Sequence, residues 1–322
     1  MDRNLALEAV RVTEAAAVAA SRLMGRGDEM AADQAAVDAM FEALMSLAID
    51  GTVVVGEGTA DEAPILYVGQ RVGAGQGPKL EIAIDPLEGP TITAKGGNNA
   101  LSVIAMAEEG GFLTVPDVYM NKIAVGGDLP DQVVDLDASP EENVRSLAAA
   151  RGVDVGDLRV CILDRPRHEE LIGQVREAGA HVILISDGDV SSVIATARPD
   201  AEVDMYMGIG GAPQGVLAAA ALRCVGGQMQ GRLVLRNEEE RAKARKCGIT
   251  DFNRKYDIAD MARGTLMVAA TGVTQGAALP GVRLARGAAV THSLVMRSKT
   301  GTVRYIRAHH ILSRKVKPGT GA

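Results

Sequence analysis

Apolar residues recur with a helical period through residues 2–24 and again through 31–48, where Val37, Met40, Leu44 and Leu47 fall on one face. Spacings of three and four bring side chains onto one stripe, so both segments are expected to be amphipathic helices. The first is rich in Ala and ends at Gly25-Arg26-Gly27. Gly51 interrupts the pattern. Short apolar runs follow at 52–55, 80–84, 101–107 and 122–125, each the length of a strand. Segments 61–79 and 126–140 are rich in turn formers.

From about residue 151 the rhythm changes. Strand patterns at 159–163, 181–185 and 203–207 alternate with helical patterns at 166–179, 190–197 and 213–225. Such alternation predicts βαβ units and a parallel sheet. A highly charged stretch at 237–247 reads as a solvated helix, with Glu239 and Lys243 at a supporting spacing. Three late strands are expected near 265–270, 290–297 and 303–311, and a frayed tail after Arg314. The change of rhythm places two α/β domains at 1–150 and 151–322.

Composition sharpens this picture. At 322 residues the chain exceeds one ordinary core. Aromatics are only 2% and Trp is absent, so Ala, Val, Ile, Leu and Met must build the interior. A net charge of -7 argues against a nucleic-acid partner. The charge is uneven: no Asp or Glu follows Asp260, whereas ten Lys and Arg do. That basic end suits either an anionic ligand or pairing with the acidic part of the chain. Cys161, Cys224 and Cys247 lack metal or redox spacing and read as free thiols of a reducing compartment. Asp2, Glu8 and Glu14 interrupt any leader-like run, and no apolar stretch is long enough to span a membrane. A cytoplasmic protein without a membrane partner is the expectation.

Candidate chemistry lies at the ends of predicted elements. Asp33 stands near the start of the second helix, Glu57 just past the strand at 52–55, and Asp85 at the end of the strand at 80–84 with Glu88 after it. Charge at strand ends needs a partner. Oxygen donors without His or Cys select Mg²⁺ or Mn²⁺, and shared carboxylates around such ions suit phosphoryl hydrolysis. The plainer alternative is turn residues in surface salt bridges. Gly208-Ile209-Gly210-Gly211-Ala212-Pro213-Gln214-Gly215 joins a strand to a helix, a phosphate-binding arrangement in which Pro213 breaks the dinucleotide fingerprint. Asp164-Arg165-Pro166-Arg167-His168 and Ser186-Asp187-Gly188-Asp189 follow consecutive strands. Arg165 and Arg167 suit a phosphate, and Asp187 and Asp189 suit sugar hydroxyls or helix capping. Read as a haloacid-dehalogenase nucleophile motif, Asp187 and Asp189 would need a later acidic pair, and none follows Asp260. Tyr119 is a ligand contact or a core residue.

Together, Gly25-Arg26-Gly27-Asp28 with Ala32-Asp33, Gly56-Glu57-Gly58 with Asp61-Glu62-Ala63-Pro64, Asp85-Pro86-Leu87-Glu88-Gly89, Pro116-Asp117 with Tyr119-Met120, and Arg165-Pro166-Arg167-His168 resemble the class II fructose-1,6-bisphosphatases. Asp187-Gly188-Asp189 and Gly210-Gly211-Ala212-Pro213 extend the match, which runs from about residue 2 to 314. The resemblance implies a two-domain layered sugar-phosphatase fold, an αβαβα sandwich. It implies two to three Mg²⁺ or Mn²⁺ ions at Asp33, Glu57, Asp85, Glu88 and position 214. It implies catalytic roles for Glu57, Glu88 and Asp61, with Asp61 helping to activate water. Substrate contacts would come from Glu88, Gly89, Pro90, Tyr119, Arg165, Pro166, Arg167, Asp187, Gly188, Asp189 and Gly211. The implied reaction is removal of the 1-phosphate of fructose 1,6-bisphosphate, with sedoheptulose 1,7-bisphosphate as a second substrate in some relatives, by a homodimer or homotetramer.

Five residues at four sites depart from that pattern. Pro90 replaces a Thr, Gln214 replaces a metal-binding Glu, Glu29-Met30 stand where a basic residue is usual, and Thr59 replaces a commonly acidic residue. Proline removes a hydroxyl and an N–H, and the amide of Gln214 carries no charge. The expectation is weakened turnover, with a sugar-phosphate-binding protein as the alternative.

Overall fold

The structure is a computed structural model that describes residues 5–198 and 203–314. Two helices open it, α1 (Leu5–Ser21) and α2 (Glu29–Met45). Asp28 caps α2 by accepting from the Ala31 N–H at 2.9 Å, which sets the start two residues earlier than the apolar period suggests. Strands β1 (Asp50–Val55), β2 (Arg71–Val72) and β3 (Lys79–Glu88) follow, then α3 (Pro90–Lys95) and β4 (Leu101–Ala107). Next come β5 (Tyr119–Val125), α4 (Pro140–Arg151), β6 (Arg159–Leu163), α5 (Glu169–Glu177), β7 (His181–Ile185), α6 (Asp189–Thr196), β8 (Met205–Gly211) and α7 (Ala212–Val225). The chain ends through β9 (Gln228–Val234), α8 (Glu238–Lys246), β10 (Tyr256–Asp257), α9 (Ile258–Met261), β11 (Leu266–Gly272), β12 (Arg283–Ala285), β13 (Ala288–Arg297) and β14 (Thr302–Ile311).

These strands form two sheets. The larger runs β12-β13-β11-β4-β3-β1-β2, with β14 on β13; the smaller runs β10-β9-β5-β8-β6-β7. Alternating side chains give each sheet two apolar faces. Ile82 and Ile84 of β3 pack with α1 and α2, whereas Ala83 joins α6, α7 and the smaller sheet. On the smaller sheet, Ile123 and Ile162 face α4 and α5. The result is helix, sheet, helix, sheet, helix: the expected αβαβα sandwich.

Two expectations change. The sheets do not divide at residue 150. β5 already lies in the smaller sheet, between β8 and β9, and the chain returns to the larger sheet at β11. A local change of rhythm cannot report these long-range antiparallel pairings. The smaller sheet is also mixed: β6 is parallel to β7 and β8, but β5 is antiparallel to β8 and β9. Among the described residues no helix is long and apolar enough to cross a membrane. The tail expected after Arg314 lies outside the described residues.

Candidate active site

A cavity of about 410 Å³ opens at the seam of the two sheets. Asp33, Glu57, Asp85 and Glu88 line it from the larger-sheet side, and Tyr119, Arg165, Arg167, Asp187, Asp189, Gly211 and Gln214 from the other. The carboxylates get there through irregular strand ends. A register shift between Val53 and Val55 turns β1, so that these two valines join different cores, and Glu57 follows the turn. In β3 a second shift falls between Asp85 and Glu88. The strand therefore does not stop at Asp85: it continues through Pro86 and Leu87, and the bulge brings both acids to the cavity. Proline is tolerated at such a position.

Charge is crowded on this side. Burial pushes Glu57 up to about 8, helped by Asp85, Asp33 and Asp117. Burial likewise pushes Asp85 up to about 7, and Asp33 is raised for the same reason. Glu88 is held well above the ordinary range by burial, then by Asp189 and Asp85. Its Oε1 accepts from the Val190 N–H at 2.6 Å and its Oε2 from the Ser191 N–H at 3.3 Å. Glu88 thus caps α6 from the other sheet. Capping by Asp187 or Asp189 is not what occurs: Gly188 is the N-cap, at φ 88°, and makes no side-chain bond.

On the opposite wall, Arg167 donates through Nε (3.1 Å) and Nη2 (2.7 Å) to the Ile209 carbonyl. Its guanidinium also lies 4.8 Å from the Tyr119 ring, as does that of Arg236. His168 fixes this wall: Nδ1–H donates to the Leu163 carbonyl at 2.7 Å, and Nε2 accepts from the Ile209 N–H at 2.8 Å. The ring is therefore the neutral tautomer, and burial lowers its pKa.

Each of the four departures has a defined local setting. Pro90 is the first residue of α3, where a missing N–H costs no hydrogen bond, and Gly89 before it takes φ 95°. Gln214 Nε2 donates to Asp85 Oδ2 at 3.0 Å. Glu29 accepts from Thr91 Oγ1 at 2.8 Å, tying α2 to α3 beside the cavity. Thr59 donates its N–H and its hydroxyl to Glu62, each at 2.9 Å.

Not every expected residue arrives. Asp61 is exposed and does not line the cavity, nor do Pro166 and Gly188. The Thr59–Glu62 turn holds Asp61 outward. Gln214 lines the cavity, with its amide N–H given to Asp85. Among the described residues no three His, Cys, Asp or Glu side chains are already drawn into the spacing of a ligated ion. The donor chemistry nevertheless fits a hard divalent cation: buried carboxylates whose pKa values are raised by burial and by one another's charge. Three further groups went unnoticed in the sequence as site residues. Asp117 lines the cavity, Arg236 lies over Tyr119, and Lys122 bonds Asp189 and Gly211 from beneath.

Alternating helix and sheet layers, with a cavity of carboxylates and arginines at the seam, define a sugar-phosphatase fold. A family profile described as bacterial fructose-1,6-bisphosphatase, glpX-encoded, matches residues 3–310. Fructose-1,6-bisphosphatase 1 class 2 of Escherichia coli K12 is 43% identical over 329 aligned positions, covering 98% of this chain and 97% of that protein. The class 2 fructose-1,6-bisphosphatase of Shigella flexneri matches to the same extent, 43% over 98% and 97%. The chain belongs to the bacterial, glpX-encoded fructose-1,6-bisphosphatase family.

Proposed function

We propose that this protein hydrolyses the 1-phosphate of fructose 1,6-bisphosphate, with water as co-substrate, to give fructose 6-phosphate and inorganic phosphate. The observation that carries this reading is the convergence of Asp33, Glu57, Asp85 and Glu88 on one cavity, opposite Arg165 and Arg167. Those four carboxylates would hold two to three Mg²⁺ or Mn²⁺ ions. Such ions, when bound, lower the pKa of water and stabilise a leaving oxygen.

The remaining steps belong to the chain's own side chains. Arg165 and Arg167 receive the phosphate, Arg167 with its fork already oriented by the Ile209 carbonyl. Asp187 and Asp189 accept sugar hydroxyls. Tyr119 walls the ligand between guanidinium groups, and Gly89 and Gly211 let it approach the backbone. A cytoplasmic setting and a homodimer or homotetramer accompany this reading. Three unbridged cysteines agree with a reducing compartment.

The test is release of phosphate from fructose 1,6-bisphosphate and from sedoheptulose 1,7-bisphosphate in Mn²⁺, with the sugar product identified. Metal-dependent formation of fructose 6-phosphate supports the reading. Calorimetric binding of the bisphosphate without turnover would instead establish a sugar-phosphate-binding protein.

A further inference from the structure

Lys122 lies on β5 with its side chain 1% exposed, deeper than any other charged group near the cavity. Its cross-strand neighbours are both glycine, Gly208 on β8 and Gly231 on β9. A buried ammonium is costly unless its donors are matched. Lys122 Nζ is matched by the Asp189 carboxylate and, at 3.0 Å, by the Gly211 carbonyl. Both partners line the cavity. The Tyr206 hydroxyl, 3.5 Å from Asp189 Oδ2, closes the cluster. The fit is tight: a Cβ at Gly210 would overlap the Asp189 carboxylate and lie 2.9 Å from Lys122 Nζ.

We propose that Lys122 is a positioning residue that holds Asp189 and the Gly211 backbone as one unit, so that the cavity presents a fixed acceptor to a sugar phosphate. The inference rests on the sugar-phosphate reading of the cavity. Lys122 touches no ligand itself. Its single ammonium fixes the rotation of one carboxylate on α6 and the course of one carbonyl at the end of β8, two elements that no hydrogen-bonded ladder joins directly. A lysine placed only for packing would have no reason to select two cavity-lining partners.

Calorimetry of fructose 6-phosphate in Mn²⁺ tests this without turnover. Unsubstituted protein, Lys122→Met, Asp189→Asn and the double variant are compared, with thermal melts alongside. Lys122→Met is expected to weaken fructose 6-phosphate binding by about tenfold, the scale of one charge-assisted hydrogen bond. Mn²⁺ binding, read separately, stays within about twofold. Where Lys122→Met alone fails to fold, because Asp189 is left buried without a counter-charge, the neutral double variant still reports. It binds within about threefold of Asp189→Asn, since Asp189 carries most of what Lys122 positions and the Gly211 carbonyl the rest. A double variant about tenfold weaker than Asp189→Asn, or a folded Lys122→Met with unchanged sugar affinity, overturns the proposal. Unsubstituted protein that binds no fructose 6-phosphate overturns it together with the sugar-phosphate reading.

Discussion

The side-chain amide nitrogen of Gln214 lies 3.0 Å from Oδ2 of Asp85, where it donates a hydrogen bond across the seam of the two sheets. That bond partly offsets burial, which still pushes the Asp85 pKa up to about 7. It also occupies one oxygen of a candidate metal ligand with a neutral donor. Gln214→Glu exchanges the donor for a carboxylate. Mn²⁺ affinity is then expected to rise by about tenfold or more, the yield of one added charged ligand at roughly 1.5–3 kcal/mol. Calorimetric titration with Mn²⁺ checks it; unchanged affinity would show that position 214 does not reach the ion.

Metal-free protein is expected to lose stability as pH rises. Glu57 and Asp85 are pushed up to about 8 and about 7 in the fold, chiefly by burial. In the unfolded chain such groups ionise near about 4. The unfolded state therefore releases protons first, and the stability present below that range is lost as pH climbs through the folded values. Thermal midpoints in chelator should be lower at pH 9 than at pH 5. Saturating Mn²⁺, which binds the ionised form, should remove the difference at the alkaline end. Midpoints in chelator that rise steadily to pH 9 would contradict the crowding of charge.

His168 pins the wall that carries Arg167. Removing its ring in His168→Ala leaves the Leu163 carbonyl and the Ile209 N–H without their partner. The expected cost is about 2–4 kcal/mol, read from denaturant unfolding. Because burial lowers the His168 pKa, its neutral form stabilises the fold above about pH 6.5 and that contribution fades as pH falls. His168→Ala should flatten the acid limb of the stability profile accordingly.

The three thiols should differ in reactivity. Burial pushes Cys161 up to about 11 and Cys224 up to about 12, so little thiolate forms at neutral pH. Cys247 is raised too but is half-buried. In native protein an aromatic disulfide reagent is expected to label Cys247 first, with the other two reacting only on unfolding. Mass spectrometry of the labelled peptides decides the order.

Much of this fold was written in local pattern. The strand at 101–107 and the strand at 181–185 keep the limits that their apolar runs predict, and α7 begins one residue before the predicted start. Short or register-dependent features were not legible. α3, six residues long, is too short for a helical period to show, although Pro90 suits a first helical turn. α4 carried a readable signal, the capping box of Ser139 and Glu142, inside a segment dominated by turn formers. The bulges that aim Glu57 and Glu88 depend on partner strands, and nothing local encodes them. Asp33, Glu57, Asp85 and Glu88 were found by their residue type at element ends. Lys122 was not, because a lone lysine in a strand ordinarily marks a solvated face. For Asp61 the motif gives only residue order, whereas the Thr59–Glu62 hydrogen bonds set the direction of its turn.

Anomalous diffraction from crystals grown with Mn²⁺ and fructose 6-phosphate tests the central claim most directly. The account predicts two to three manganese peaks in the seam cavity, ligated by oxygens of Asp33, Glu57, Asp85 and Glu88, with the sugar between them and Arg165 and Arg167. Manganese found only at surface carboxylates, or a sugar phosphate bound outside this cavity, would contradict it.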